Sequence, residues 1–166
     1  MKRTFVFPLT VVAIVAVAAV MAAYHAGTRR ETRIAVPFEI SKSGHQVVTV
    51  VSRGRTLRLM LDTGSSGNIL TAAAADRLGL RATSDAGTAS GLGSTSYRLR
   101  RLDAPLVVDA EGARFEVNRM TSLDLIFAGD DAGEETFDGL LGSPFFLAHR
   151  VTIDFAARRI VFDPMV

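Results

Sequence analysis

The chain has 166 residues, 48% of them hydrophobic and 22% charged, with ten Phe and neither Cys nor Trp. That composition is too apolar for a disordered chain, and the missing cysteines exclude a disulfide framework, a thiolate zinc site and a cysteine nucleophile. The net charge of +2 invites a nucleic-acid reading, yet Lys2, Arg3, Arg29 and Arg30 all lie in the first thirty residues, leaving 15 basic against 17 acidic groups from residue 31 onward; the basic stripe that neutralises phosphates is missing.

The run from Phe5 to Ala23 is interrupted in polarity only by Pro8 and Thr10 and follows Lys2 and Arg3. As a helix it would reach ~28 Å, about one hydrocarbon core, and it is longer than the usual ~7–15-residue core of a cleaved signal. An uncleaved anchor is therefore expected. The alternatives are a signal cut after Ala22 or Ala23, which would release the domain, and a buried core helix. Basic residues flank the run on both sides, and the short N-terminal tail favours the N-in arrangement. That places residues 31–166 outside the cytoplasm, on the periplasmic side if the cell is bacterial, with residues 1–30 as anchor or signal and linker.

Beyond the linker the pattern has mostly period two. Ile34 to Ile40 and Gln46 to Val51 read as strands around the turn-like Ser41-Lys42-Ser43-Gly44. Thr56 to Leu61 alternates cleanly, with Leu57, Leu59 and Leu61 on one face. Thr71 to Leu78 reads as a helix with Thr71 as N-cap and Gly79 at its C-terminal end. Leu102 to Val108 and Arg114 to Arg119 flank Asp109-Ala110-Glu111-Gly112, a hairpin signal. Leu123 to Phe127, Arg150 to Phe155 and Arg159 to Phe162 are further strands, and Pro144 to His149 is one helical turn or two. Ala82 to Ser96 and Gly129 to Glu135 read as mobile stretches. Many short strands with turn signals and one clear helix describe a small closed or sandwiched β domain.

One triplet carries the chemistry. Leu59-Met60-Leu61-Asp62-Thr63-Gly64-Ser65-Ser66 sets a carboxylate at the end of an apolar strand, before a tight turn. A carboxylate there is costly to bury without hydrogen bonds. The hydroxyls of Thr63, Ser65 and Ser66 and the backbone amides around Gly64 are at hand to supply them. Standing alone, Asp-Thr-Gly also suits an ordinary Asx-type turn. Its apolar approach and the Ser-Ser-Gly-Asn-Ile-Leu that follows make the signal narrower.

In these residues the chain resembles the aspartic proteases, specifically the single-domain retropepsin-like group. The family's second signature, two hydrophobic residues and a Gly before a short helix, is matched by Leu140-Leu141-Gly142 within Phe137-Asp138-Gly139-Leu140-Leu141-Gly142-Ser143-Pro144-Phe145-Phe146-Leu147. Val151 to Phe155 and Arg159 to Phe162 look like its final hairpin. The likeness spans roughly Ile34 to Asp163 and is greatest to membrane-anchored bacterial members. It implies a small retropepsin-type β barrel with one or two short helices. It also implies an aspartic endopeptidase without cofactor or metal, acting on a protein or peptide in extended conformation.

The chemistry needs two carboxylates, one charged to activate water and one protonated to act on the carbonyl, sharing one proton. Only one Asp-Thr-Gly is present, since Asp85, Asp131 and Asp138 are not followed by Thr-Gly or Ser-Gly. The second carboxylate is therefore expected from a second copy, with a two-fold axis between the two Asp62 side chains. By resemblance, Thr63 would lock the two loops across that axis. Gly64 would bring backbone amides to the carboxylate, and the Ser65 hydroxyl would support its outer oxygen. Gly142 would let the chain pass beneath, and Ser90-Gly91-Leu92-Gly93 would form the tip of a flap over the substrate.

Other chemistries fit less well. No Gly-x-Ser-x-Gly elbow surrounds Ser65 or Ser66, and His25, His45 and His149 are the only histidines. His149 reads as a solvated or helix-end residue. No zinc-binding His-Glu-x-x-His, phosphate loop or dinucleotide fingerprint occurs, and Asp130, Asp131, Glu134 and Glu135 lack regular ligand spacing. The remaining alternative is an anchored module of the same fold that binds peptides or a partner without cutting them.

Overall fold

A computed structural model of the chain describes residues 33–90, 96–123, 127–128 and 136–164. The hydrophobic run 5–23, the expected flap residues Gly91, Leu92 and Gly93, and the acidic stretch 129–135 lie outside the described residues. Among the described residues no helix is long and apolar enough to cross a membrane.

The elements are β1 (Ile34–Ile40), β2 (Gln46–Ser52), β3 (Arg55–Leu61), β4 (Asn68–Thr71), α1 (Ala72–Arg77), β5 (Ala82–Ser90), β6 (Ser96–Leu102), β7 (Leu106–Ala110), β8 (Ala113–Val117), β9 (Met120–Leu123), β10 (Phe127–Ala128), β11 (Thr136–Phe137), β12 (Gly139–Leu141), α2 (Ser143–Ala148), β13 (His149–Asp154) and β14 (Arg159–Pro164). Local chemistry explains several of them. The two-residue loops Arg53-Gly54 and Glu111-Gly112 have positive φ throughout, as tight hairpin turns between twisted strands require. Thr71 caps α1, its hydroxyl accepting the Ala74 N–H at 3.0 Å. At the other end Gly79 and Leu80 donate to the carbonyls of Asp76 and Ala75, a Schellman closure that needs the left-handed Gly79 (φ +64°).

Strand ladders follow the order β13-β14-β1-β2-β3-β12-β4-β9-β6-β5, with the β7–β8 hairpin joined to β2. This order corrects the expectation of a closed barrel, because β13 and β5 end the path without meeting. The sheet instead changes direction at β1: Ile34 to Pro37 pair with β14, and Phe38 to Ile40 pair with β2. Pro37, which has no N–H to give a ladder, sits at the switch. The sheet thus wraps a core that includes Leu57, Leu59, Leu70, Leu106, Val108, Phe115, Val117, Phe145, Ile160 and Phe162, and α2 covers part of it through Phe145.

Two further expectations change. Ala82 to Ser96 is no mobile stretch as far as it is described: β5 pairs with β6 from Ala82↔Leu102 to Ser90↔Ser96, with bulges near Thr83 and Ala86. Both faces of β5 are largely exposed, so it carries no hydrophobic alternation to read. Leu102 ends β6 and does not begin the next strand. There Asp103 N–H donates to the Arg81 carbonyl and Arg81 N–H to Asp103 Oδ1, both at 3.0 Å, and Pro105 delays β7 to Leu106.

Leu57 is fully buried at the centre of this core. Leu57→Ala is expected to destabilise the domain by about 2–5 kcal/mol, read as a lower urea midpoint; a midpoint unchanged from wild type would contradict the assigned core.

Candidate active site

Alternation along β3 turns Leu57, Leu59 and Leu61 into the core and leaves Arg58 and Met60 on the outer face. Asp62 continues that outer row just past the strand. Strand β12 runs parallel to β3, pairing Gly139↔Leu59, Leu140↔Met60 and Leu141↔Leu61. The ladder ends on the acid itself, whose N–H donates to the Leu141 carbonyl at 2.9 Å. The chain then folds back at once: Gly64 N–H donates to Asp62 Oδ1 at 2.9 Å and Ser65 N–H to the Asp62 carbonyl at 3.1 Å. Asp62, Thr63 and Gly64 are all exposed in the single chain. The cost of burying a lone carboxylate is avoided, because it faces water at the mouth of the turn.

The second signature lies directly under this turn. A Cβ placed on Gly142 would stand 2.1 Å from the Gly67 carbonyl oxygen and 2.8 Å from that of Ser65. Only glycine permits that approach. The next residue ties the two segments together: Ser143 N–H donates to the Ser65 carbonyl at 2.8 Å and its hydroxyl to the Thr63 carbonyl at 3.0 Å. The Ser65 hydroxyl is used within its own turn, donating to the Gly67 carbonyl at 3.0 Å. This differs from the expected support of the outer Asp62 oxygen, because the tight Ser65–Gly67 turn holds that hydroxyl locally.

Two residues that sequence reasoning left out organise the site. Asn68, six positions after Asp62, is buried, and its Oδ1 accepts the Gly142 N–H at 2.9 Å. Asp138, just before the Gly-Leu-Leu-Gly string, accepts the Arg58 N–H through Oδ2 at 2.9 Å and pairs with Arg77 through Oδ1. Its own N–H donates to the Arg58 carbonyl at 2.9 Å, and its carbonyl accepts from Thr71 N–H at 2.8 Å. Arg58 bonds Glu39 at 2.6 Å and lies over the Phe137 ring. The available signal was positional: a short polar residue beside each of the two motifs.

Beside Asp62, Met60, Leu140 and Ile69 form a row across three strands, with Leu123, Tyr97 and Leu99 extending the apolar face toward the β5–β6 hairpin. Of the flap residues expected, Ser90 closes β5 opposite Ser96. Two other described carboxylates are engaged away from this site. A main-chain hydrogen bond from Arg81 holds the Asp103 carboxyl below its usual range, and the Arg114 side chain does the same for Asp109. Among the described residues no group of three or more His, Asp or Glu side chains is arranged to hold a metal ion.

His149 is less solvated than expected. It stands at the C-terminal end of α2, in keeping with the helix-end reading, and its ring packs at a tilt against Phe145 and Phe162, with centroids 4.8 and 5.4 Å away. Burial holds its imidazole below the usual value, against a smaller opposing effect of a main-chain hydrogen bond at Asp163. The folded state therefore favours neutral His149, whereas the unfolded chain takes up a proton first as pH falls.

Comparison with known proteins adds the following. The profile of the family described as "Aspartyl protease" matches residues 48–145. No curated protein sequence matches the chain. Among solved structures, it is similar to a retropepsin-like aspartic protease from Rickettsia conorii, at 20% identity, TM-score 0.46, over 79% of this chain and 89% of that one. It is similar to the retroviral protease-like domain of Ddi1 from Leishmania major, at 14% identity, TM-score 0.50, over 72% and 88%. It is also similar to EIAV protease in complex with the inhibitor HBY-793, at 19% identity, TM-score 0.40, over 62% and 86%. The Leishmania likeness is one of fold.

Gly142→Ala is expected to cost about 3 kcal/mol or more, measured by thermal or urea unfolding; an unchanged midpoint would mean the loops lie further apart than described. For His149, stability should fall as pH drops below its unfolded value of about 6.5. His149→Phe should flatten that limb in denaturation midpoints between pH 5 and 7, and an identical slope in both proteins would refute the assignment.

Proposed function

Because the chain belongs to the aspartyl protease family, we propose that it is a homodimeric aspartic endopeptidase whose catalytic pair is Asp62 from each of two copies. The observation that carries this reading is the isolation of Asp62. It stands exposed at the end of an apolar strand, with its main chain anchored by Leu141 and one carboxylate oxygen bonded to Gly64 N–H. Asp138, the next carboxylate attached to this strand, has both oxygens committed to Arg58 and Arg77. A second copy supplies the missing group when a two-fold axis passes between the Asp62 side chains. Exposed Thr63 and Gly64 then meet their counterparts across that axis.

Two such carboxylates ~3 Å apart share one proton. The charged Asp62 takes a proton from water, and the water oxygen attacks the substrate carbonyl carbon while the protonated Asp62 gives its proton to the carbonyl oxygen. The tetrahedral intermediate collapses with proton transfer to the amide nitrogen, breaking the C–N bond and releasing a carboxylic acid and an amine. The apolar row Met60, Leu140 and Ile69 suits apolar substrate side chains next to the scissile bond. In this reading the β5–β6 hairpin, which ends at Ser90 and Ser96, carries the flap, and the apolar run 5–23 of the sequence is the membrane anchor that holds the domain on the periplasmic side.

The test is cleavage of a diverse peptide library by the full chain in mild detergent, between pH 3 and 7, for wild type and Asp62→Asn side by side. Wild type should cut and Asp62→Asn should not, while both sediment as dimers. Full activity in Asp62→Asn sinks the mechanism, and a strictly monomeric wild type that cleaves peptides sinks the shared site. A dimeric wild type that cuts nothing moves the reading to a peptide-binding module.

A further inference from the structure

Beneath the Asp62 loop, side chains take over where main-chain pairing stops. Strands β12 and β4 pair at Gly139↔Leu70 and Leu140↔Ile69. That ladder ends at Leu140, and beyond it the two segments close up, the Gly67 carbonyl oxygen standing 2.1 Å from where a Gly142 Cβ would be. A buried Gly142 N–H without an acceptor would cost the desolvation of a main-chain donor, roughly 1–3 kcal/mol. Asn68 supplies the acceptor, Oδ1 receiving that N–H at 2.9 Å. At the other end of the same carboxamide, Nδ2 donates to the Asn118 carbonyl at 3.0 Å. The residue is 1% exposed, and its main-chain carbonyl accepts the Thr121 hydroxyl at 3.2 Å.

The site demands an acceptor and a donor on one short planar group. Asparagine alone offers both at this reach: aspartate presents two acceptors, serine is too short to span the gap, and leucine fills the volume without bonding. What hangs on the Gly142 end is the seat of the loop, since Ser143 bonds the carbonyls of both Thr63 and Ser65. Moving Gly142 moves that seat, and with it the turn that presents Asp62.

We propose that Asn68 is a positioning residue for the reaction, its carboxamide spanning Gly142 N–H and the Asn118 carbonyl to set where the Asp62 carboxylate stands relative to its twin. The assignment rests on the protease reading above. A carboxylate pair that must share a proton tolerates little displacement, and a shift of about 1 Å can cost about 100-fold in rate.

The experiment compares steady-state kinetics of full-length wild type, Asn68→Leu, Asn68→Asp, Ser143→Ala and the Asn68→Leu/Ser143→Ala double variant, each checked for folding and dimerisation. Asn68→Leu should lower kcat by about 10- to 100-fold while KM stays within about 3-fold. Asn68→Asp, which still accepts the Gly142 N–H, should lose less. Because Asn68 and Ser143 hold one loop, the double variant should lose less than the product of the single losses. Wild-type kcat in a folded, dimeric Asn68→Leu overturns the assignment, as does a loss confined to KM or a fully multiplicative double variant. Should Asn68→Leu fail to fold, Asn68→Asp replaces it in the same cycle, under the same criteria. A wild type that cleaves no peptide overturns the protease reading and this assignment together, whereas the outcomes above overturn this assignment alone.

Discussion

Gly142 and the Asp62 loop cross with no room between them for a methyl group, and much of the architecture follows from that contact. For the crossing to exist, β12 must thread between β3 and β4, parallel to one and antiparallel to the other. Gly139 meets the same restriction at the other end of the strand, where a Cβ would stand 2.2 Å from the Ile69 carbonyl oxygen. A three-residue strand with a glycine at its start and another just past its end is thus clamped on both edges. The result is a rigid floor under residues 62–67, and a turn whose carboxylate points outward because the inward face of β3 is filled by leucines.

Polar groups around this floor are distributed unevenly. Asp138 is saturated by Arg58 and Arg77, and Arg58 is in turn held by Glu39 and Phe137. These bonds tie the segment leading into β12 to β3 and to the C-terminal end of α1, so a carboxylate close in sequence to the second motif serves as a clamp. Asn68 performs the matching task beneath the loop. Asp62, by contrast with these two, is exposed and takes a single main-chain donor, Gly64 N–H, at 2.9 Å.

Two parts of the chain behave differently from this floor. The β5–β6 hairpin stands at one end of the ladder and exposes both faces of β5, so pairing and not burial keeps it extended. At the opposite end, β13 and β14 form a two-stranded ladder attached through the first half of β1. The partner exchange at Pro37 lets the sheet change direction without closing. His149, where α2 meets β13, shows how closely that corner is packed: its ring lies against Phe145 and Phe162, and burial lowers its affinity for a proton.

Local features were legible from residues alone because their causes are short-range. The Thr71 cap and Gly79 stop of α1, the hairpin at Asp109 to Gly112 (whose loop narrows to Glu111-Gly112 once Asp109 and Ala110 pair) and the in–out alternation of β3 depend on a few neighbouring side chains. The Asp-Thr-Gly and Leu-Leu-Gly strings were visible for the same reason. Tertiary structure decided the rest: which strand β12 joins, that the ladder stays open, that an Asp and an Asn of ordinary appearance hold the floor, and that the Ser65 hydroxyl turns to Gly67. Those outcomes rest on contacts between residues far apart in the chain, such as Arg58 with Asp138 and Asn68 with Gly142, 80 and 74 positions apart. No local periodicity encodes such pairings, because they form only once distant segments pack close enough to exclude water.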